Sequence, residues 1–246
     1  MISVCMATYN GAKFIKEQID SILPQLSADD ELIISDDGSS DGTLEIIASY
    51  TDKRIKLLHH QKDPSLAKIK HSRNFYYATE NFENALKEAR GDYIFLSDQD
   101  DIWKEDKVSE SLRFLQNYDI VMSNFSIIDE SNNITNQKFY KKSPISKFLL
   151  VNIANSHFLG CCMAFRKSVL EYCIPFPQKL LAHDYWIGCL GLKKFLFSFI
   201  DEPLHLYRRT TNNVSTSTGT SNNHVVYKVL YRFQFLIKIL VQLVTK

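Results

Sequence analysis

Short apolar runs that stop at polar clusters recur along the first half of the chain, and amphipathic stretches fill the gaps between them. Ile2 to Ala7 reads as a first strand, followed by the polar turn Thr8-Tyr9-Asn10-Gly11. From Lys13 to Gln25, Phe14, Ile15, Ile19, Ile22 and Leu23 fall at helical spacing. Glu31 to Ser35, with Leu32, Ile33 and Ile34, predicts a second buried strand; Asp36 to Gly42 is a turn, and Thr43 to Tyr50 a helix. Ile55 to His59 reads as a third strand, and Asn74 to Ala89 as a helix that Gly91 closes. Tyr93 to Ser97 is the next strand, Lys104 to Tyr118 a helix and Ile120 to Phe125 another strand. Such alternation predicts an α/β fold with a mainly parallel sheet flanked by helices.

After Phe125 the rhythm breaks. Residues 129 to 147 are polar and read as a loop region, His157 to Phe165 as a strand returning to the sheet, and Lys167 to Tyr172 as a short helix. His183 to Leu192 follows as a helix and Phe195 to Ile200 as a strand. Tyr207 to Asn223 is a polar, Thr/Ser-rich segment. In the tail, Val229, Leu230, Phe233, Leu236, Ile237, Leu240 and Leu243 alternate with Lys228, Arg232, Lys238 and Lys246, which predicts a basic amphipathic helix. That helix either lies in a membrane interface or packs on the domain or on a second subunit.

Composition narrows the class. At 246 residues, 45% hydrophobic, with 12 Tyr and 16 Phe, the chain has ample material for one folded domain. A net charge of +1 argues against a nucleic-acid partner. Cys5, Cys161, Cys162, Cys173 and Cys189 are odd in number and form no CxxC pair, so they read as free thiols in a reducing compartment. The start Met-Ile-Ser-Val lacks the pattern of a signal peptide, and no apolar stretch is long enough to span a bilayer.

Four clusters carry candidate chemistry. Ile33-Ile34-Ser35-Asp36-Asp37-Gly38 ends a strand in two carboxylates that could accept from a nucleobase imide or a ribose hydroxyl, or cap the next helix. Ser97-Asp98-Gln99-Asp100-Asp101 ends another strand; carboxylates this close repel unless a cation sits among them, and a D-x-D suits a hard divalent ion bridging phosphates. Its alternative is a solvated turn before the Lys104 helix. His183-Asp184-Tyr185-Trp186 places an acid among aromatics at a helix start, as a general base or as an N-terminal cap. Tyr207-Arg208-Arg209-Thr210 offers two cations for a diphosphate, or an ordinary basic loop. His59, His60 and His71 show no ligand spacing and read as surface residues. Neither a Walker loop nor a G-x-G-x-x-G occurs.

The order of these pieces is more specific than any one of them. Ala7-Thr8-Tyr9-Asn10-Gly11, Asp36-Asp37-Gly38-Ser39, Asn81-Phe82, Ser97-Asp98-Gln99-Asp100-Asp101-Ile102-Trp103 and His183-Asp184-Tyr185-Trp186, in that order, resemble the family 2 glycosyltransferases of the GT-A (Rossmann-like) fold, in their bacterial rhamnosyltransferase-like branch. The resemblance implies an inverting glycosyltransferase that uses Mg²⁺ or Mn²⁺ and a nucleotide-diphosphate sugar, dTDP-L-rhamnose or a UDP-sugar. It implies a saccharide or lipid-linked saccharide acceptor in bacterial surface polysaccharide synthesis. It assigns Ala7, Tyr9, Asp36, Asp37, Asp98 and Arg208 to the nucleotide sugar and Asp98 and Asp100 to the metal. Asp184 becomes the catalytic base, and Gly160, Cys161, His183 and Trp186 shape the acceptor and sugar pocket. The pattern departs at Thr210, where that branch carries His after Tyr-Arg-x; the role then falls to Arg208, Arg209 or His205, or the chain is a catalytically silent subunit. Residues 1–223 are the expected GT-A domain and 224–246 the C-terminal helix. The expected setting is cytoplasmic, at the inner face of the plasma membrane, with a homodimer as a candidate assembly.

Overall fold

The computed structural model describes residues 1–69, 72–155, 157–210 and 225–246. In chain order the elements are β1 (Ile2–Thr8), α1 (Ile15–Ile22), β2 (Glu31–Asp36), α2 (Thr43–Ala48), β3 (Ile55–His59), α3 (Arg73–Lys87), β4 (Tyr93–Ser97) and β5 (Ile102–Trp103). They continue with α4 (Lys107–Leu115), β6 (Ile120–Ile128), β7 (Ile134–Asn136), α5 (Leu149–Asn155), β8 (Met163–Arg166), α6 (Lys167–Cys173), α7 (His183–Lys194), β9 (Phe197–Arg208) and α8 (Val225–Thr245).

The strands form one sheet in the order β3-β2-β1-β4-β8-β6-β9-β5, with β7 beside β6. β3, β2, β1 and β4 are mutually parallel; β8 runs antiparallel to both β4 and β6, and β9 is parallel to β6. The parallel strands are buried on both faces, which is why they read as unbroken apolar runs. Alternation then divides their side chains. Cys5, Ile33, Ile94 and Leu96 point into the core shared with α3, α6, α7 and α8, whereas Val4, Met6, Leu32, Ile34 and Phe95 point into the core under α1, α2 and α4. Each fully buried aliphatic side chain contributes roughly 1.5–3 kcal/mol.

Register places the chemistry. Thr8 lies opposite Asp36, Asp36 opposite His59, and Met6 opposite Ser97. The carboxyl ends of the central strands therefore share one rim, where ligands of open α/β sheets bind.

Some elements differ from expectation. The strand expected over His157 to Phe165 is a 3-10 turn at Gly160–Cys162 followed by β8. The strand expected over Phe195 to Ile200 runs on as β9 to Arg208, because β6 lengthens to Ile128 and β5 pairs on the other side. The polar region 129–147 contains β7, and the helix expected from Lys104 starts at Lys107 because Ile102 and Trp103 are taken by β5. All five cysteines are buried free thiols.

Candidate active site

The first wall is built by the ends of β1 and β2. Asp36 Oδ1 accepts from the backbone N–H groups of Gly38 (3.0 Å) and Ser39 (2.9 Å), and Oδ2 accepts from Ser39 Oγ (2.5 Å). Asp36 is thus occupied in shaping the turn, which Gly38 completes at φ +82°. The turn presents Asp37, whose N–H donates to the Thr8 carbonyl (2.9 Å) and whose Oδ1 lies 2.8 Å from His60 Nδ1. Lys62 Nζ sits 3.4 Å from Asp37 Oδ2 and 3.4 Å from the ring centre of the exposed Tyr9. His60 is therefore a half-buried partner of Asp37, not the surface residue expected; His71 lies outside the described residues. Ala7 is half-buried at the end of β1, and Asn81 Nδ2 donates to Thr8 O (3.2 Å), fixing the neighbouring turn.

The acidic loop after β4 is clamped to this wall by Gln99. Its Oε1 accepts from Thr8 Oγ1 (2.6 Å) and Tyr9 N (2.9 Å), and its Nε2 donates to Tyr9 O (3.1 Å). A Cβ on Gly11 would stand 2.4 Å from Gln99 Oε1, so any side chain there would displace the Gln99 amide from this clamp. Burial, and then the charges of Asp101, Asp100 and Asp184, push the Asp98 carboxyl well above the usual carboxylate range. Burial and the Asp101 charge raise Asp100 to about 7, with Arg208 acting against them. Such mutual repulsion among all-oxygen donors fits a hard divalent cation, and Asp98 and Asp100 are the residues that would hold it.

Arg208 departs from its expected place against a diphosphate. It is fully buried, and its backbone N–H donates to Asp101 Oδ1 (2.8 Å). Nε donates to the Asp100 carbonyl (2.8 Å), and the other nitrogens donate to Glu17 Oε2 (2.7 Å), Asn132 Oδ1 and the Asp129 carbonyl (3.3 Å). Drawn inward by β9, it braces the acidic loop from below.

Beside it runs a buried chain of charges. Lys107 Nζ donates to the Cys161 carbonyl and lies 3.1 Å from His205 Nδ1, while His205 Nε2 lies 2.7 Å from Asp101 Oδ2. The consistent tautomer carries the proton on Nε2, so a neutral imidazole relays between an ammonium and a carboxylate. Burial, then the Lys107 charge, lower His205 to about 4, and burial lowers Lys107. Ligand atoms of Asp101, Cys161 and His205 lie within 4.8 Å of one another, a spacing that a metal could use. Both imidazole nitrogens already have partners there and Lys107 supplies the cation, so the open edge at Asp98 and Asp100 fits an ion better.

The opposite wall is the start of α7. Asp184 Oδ2 accepts from Gly160 N (3.2 Å) and Oδ1 from Tyr185 N (2.7 Å). His183 stacks on Phe82 with ring centres 3.9 Å apart, and its buried Nε2 has no hydrogen-bond partner. Burial lowers its pKa, so the ring is neutral. Gly160 N–H holds Asp184 and the thiol of the next residue, Cys161, donates to Asp98, so the two carboxylates are brought near one another by the same turn.

Two residues expected in the acceptor pocket are fully buried. Trp186 is fully buried: its Nε1 donates to Cys173 O (3.0 Å), and its ring meets Phe235 edge-on. Two positions along a helix turn the side chain by about 200°, so Asp184 toward the cleft sends Trp186 into the core. Cys161 is fully buried behind Asp98, its thiol donating to that carboxylate. Lys107 and Glu17 read in the sequence as ordinary surface polar groups, and nothing there gives Gln99 its clamp on Thr8 and Tyr9 or His60 its bond to Asp37. Thr211, Asn212 and Asn213, with the polar run to residue 223, lie outside the described residues.

The family model for glycosyl transferase family 2 matches residues 3–173. The dTDP-rhamnosyl transferase RfbG of Shigella flexneri is 30% identical over 224 residues, covering 85% of this chain and 72% of its own. The crystal structure of S. aureus TarS 1-349 in complex with UDP superposes with a TM-score of 0.64 at 18% identity, over 96% of this chain and 70% of that one. Glucosyl-3-phosphoglycerate synthase from Mycobacterium tuberculosis, solved with Mn²⁺, UDP and glucosyl-3-phosphoglycerate, gives 0.53 at 20% identity, over 94% and 79%. Both structural likenesses identify the fold as GT-A.

Proposed function

Since the chain belongs to glycosyl transferase family 2 and is a glycosyltransferase, we propose that it moves a sugar, with inversion, from a nucleoside-diphosphate donor to a hydroxyl of a saccharide acceptor in bacterial surface polysaccharide synthesis. The observation that carries this reading is the convergence of Asp184 and Asp98 on the Gly160–Cys161 turn, with Asp37 following β2 on the same sheet rim. Transfer develops oxocarbenium character at the sugar and negative charge on the leaving diphosphate. A divalent cation, Mg²⁺ or Mn²⁺, bound at Asp98 and Asp100 would supply charge stabilisation to that leaving group.

The remaining roles fall to the chain itself. Asp37, steadied by His60 and Lys62, accepts from the base imide, and Tyr9 borders the base. Asp184, held by the N–H groups of Gly160 and Tyr185, takes the proton from the acceptor hydroxyl on the face opposite the leaving group. His183 Nε2 offers a hydrogen-bonding site to a sugar hydroxyl beside it. The thymine and uracil imides are alike, so Asp37 serves either dTDP or UDP. The name of the Shigella relative favours dTDP-L-rhamnose, and the ligand of TarS favours a UDP-sugar.

A panel of nucleotide sugars screened for thermal stabilisation identifies the donor. With that donor, Asp184→Asn is expected to lower transfer by about 10²–10⁴-fold while leaving the donor-induced stabilisation intact. Unchanged transfer in Asp184→Asn refutes the base assignment. Donor stabilisation with no transfer by the unsubstituted chain supports the silent-subunit reading instead.

A further inference from the structure

The C-terminal helix has two apolar faces, and only one is used. On the inner side Phe235 and Ile239 are buried, and Phe235 stacks on Tyr185 at 4.1 Å. Lys238 Nζ donates to the carbonyls of Gln178 (2.8 Å) and Lys179 (2.7 Å), and Lys246 Nζ to those of Glu171 (3.2 Å), Tyr172 (3.0 Å) and Ile174 (2.8 Å). These contacts fix the helix against the domain. On the outer side Val229, Leu230, Phe233, Ile237, Leu240, Val241 and Val244 are between 46% and 86% exposed. At about 100° per residue these positions fill an arc of roughly 120° that no polar residue interrupts. The adjoining helix α5 exposes Leu150 and Val151, with Phe148 just before it. Soluble surfaces rarely leave so much contiguous apolar area uncovered.

Charge decides what fits. Every charged residue of 225–246 is cationic, and residues 131–170, which hold Lys141, Lys142 and Lys147, contain no Asp or Glu. The four cations of 225–246 lie on the other side of α8, with Lys238 and Lys246 already bonded to domain carbonyls, so the basic groups beside this face are the exposed Lys141, Lys142 and Lys147 that lead into α5. A second copy docked on the same face would set these three lysines against their own counterparts, and the arc is wider than a two-per-heptad seam requires. An anionic lipid surface satisfies both properties: apolar side chains enter the acyl boundary while Lys141, Lys142 and Lys147 meet headgroup phosphates. None of the described helices is long and apolar enough to cross a membrane, and the inner face is already docked, so the helix lies in the plane of the interface.

We propose that the outer face of α8, with the exposed residues of α5, is a peripheral docking surface for an anionic bilayer. The contact stands apart from the catalytic reading. Only its use, bringing the cleft to a lipid-linked acceptor, rests on that reading.

Flotation of the full chain with phosphatidylcholine vesicles containing about 30% phosphatidylglycerol tests it. Binding is expected to these vesicles, to fall at least about tenfold on pure phosphatidylcholine, and to fall about as far in the double variant Phe233→Ser, Leu240→Ser. Those side chains are exposed, so the double variant keeps the thermal midpoint of the parent. Asp184→Asn binds vesicles like the parent, which separates this proposal from the catalytic one. Equal affinity for both vesicle types overturns the proposal, as does unchanged binding by the double variant. A dimer in light scattering that the double variant dissolves, with no flotation, assigns the face to a second copy instead.

Discussion

Lys107 has 1% of its surface exposed, yet it carries the ammonium that neutralises Asp101 through His205. Removing one member of a buried charged set strands the other. Lys107→Met is expected to cost about 3–5 kcal/mol in urea unfolding, and Asp101→Asn in the same chain to recover part of that loss because it removes the stranded charge. Additive losses would show that the two groups do not interact. His205 adds a pH term. Its pKa in the folded chain is about 4, below the ordinary 6.5, so the unfolded chain binds this proton first as pH falls. The share of stability owed to this residue should therefore fall from about pH 6.5 toward pH 4, by up to roughly 3 kcal/mol, while the raised carboxyls of Asp98 and Asp100 act in the opposite direction, so the effect is read as the difference between the parent and His205→Gln. His183, lowered by burial, adds to the slope in the same direction. Unfolding midpoints measured across that range decide the sign.

Between residue and fold stand the elements that bring the walls together, and the tightest meeting is Gly160 against the first turn of α7. A Cβ there would stand 3.1 Å from His183 Nε2 and 3.2 Å from Asp184 Cβ. Gly160→Ala should push the turn from α7 and disturb the N–H that holds Asp184, lowering kcat by about tenfold at a stability cost of about 1–3 kcal/mol. A kcat equal to the parent's would mean that α7 absorbs the methyl without moving Asp184. At this scale much was legible beforehand. β2 and β4 announced themselves as apolar runs ending in Asp36-Asp37 and Asp98 to Asp101, because strands buried on both faces need no partner in sequence to be read. The meaning of Asn81-Phe82 needed the fold, which sets Asn81 on the Thr8 carbonyl and Phe82 under His183. β9 was cut short at Ile200 because Asp201, Glu202 and Pro203 look like a loop; its continuation depends on pairing with β6 and β5, neither of them near in sequence. The burial of Lys107, Cys161, Trp186 and Arg208 is not legible for one reason: charge and aromaticity are visible in a sequence, but the side of an element they occupy is not.

Across the whole molecule, α8 ties the last stretch of chain to the cleft. Phe235 and Ile239 belong to the same continuous core as Leu96 of β4, Met122 of β6 and Trp186 of α7. Phe235 stacks on Tyr185, the residue after the candidate base, and Tyr185 in turn donates from its hydroxyl to the Asn152 carbonyl in α5 (3.3 Å). The helix is thus a structural part of the domain on its inner side and a free apolar surface on its outer side, and the two roles should separate by substitution. Phe235→Ala empties a buried aromatic site and is expected to cost about 3–5 kcal/mol. Because its core is shared, calorimetry and tryptophan fluorescence should still report one coincident transition at the lower midpoint. At temperatures where Phe235→Ala remains folded, its vesicle affinity should match the parent's, whereas Phe233→Ser, Leu240→Ser should lose vesicles and keep the midpoint. An early, separate melting of α8 would show that the inner face holds the helix too weakly to carry a bilayer contact back to Asp184.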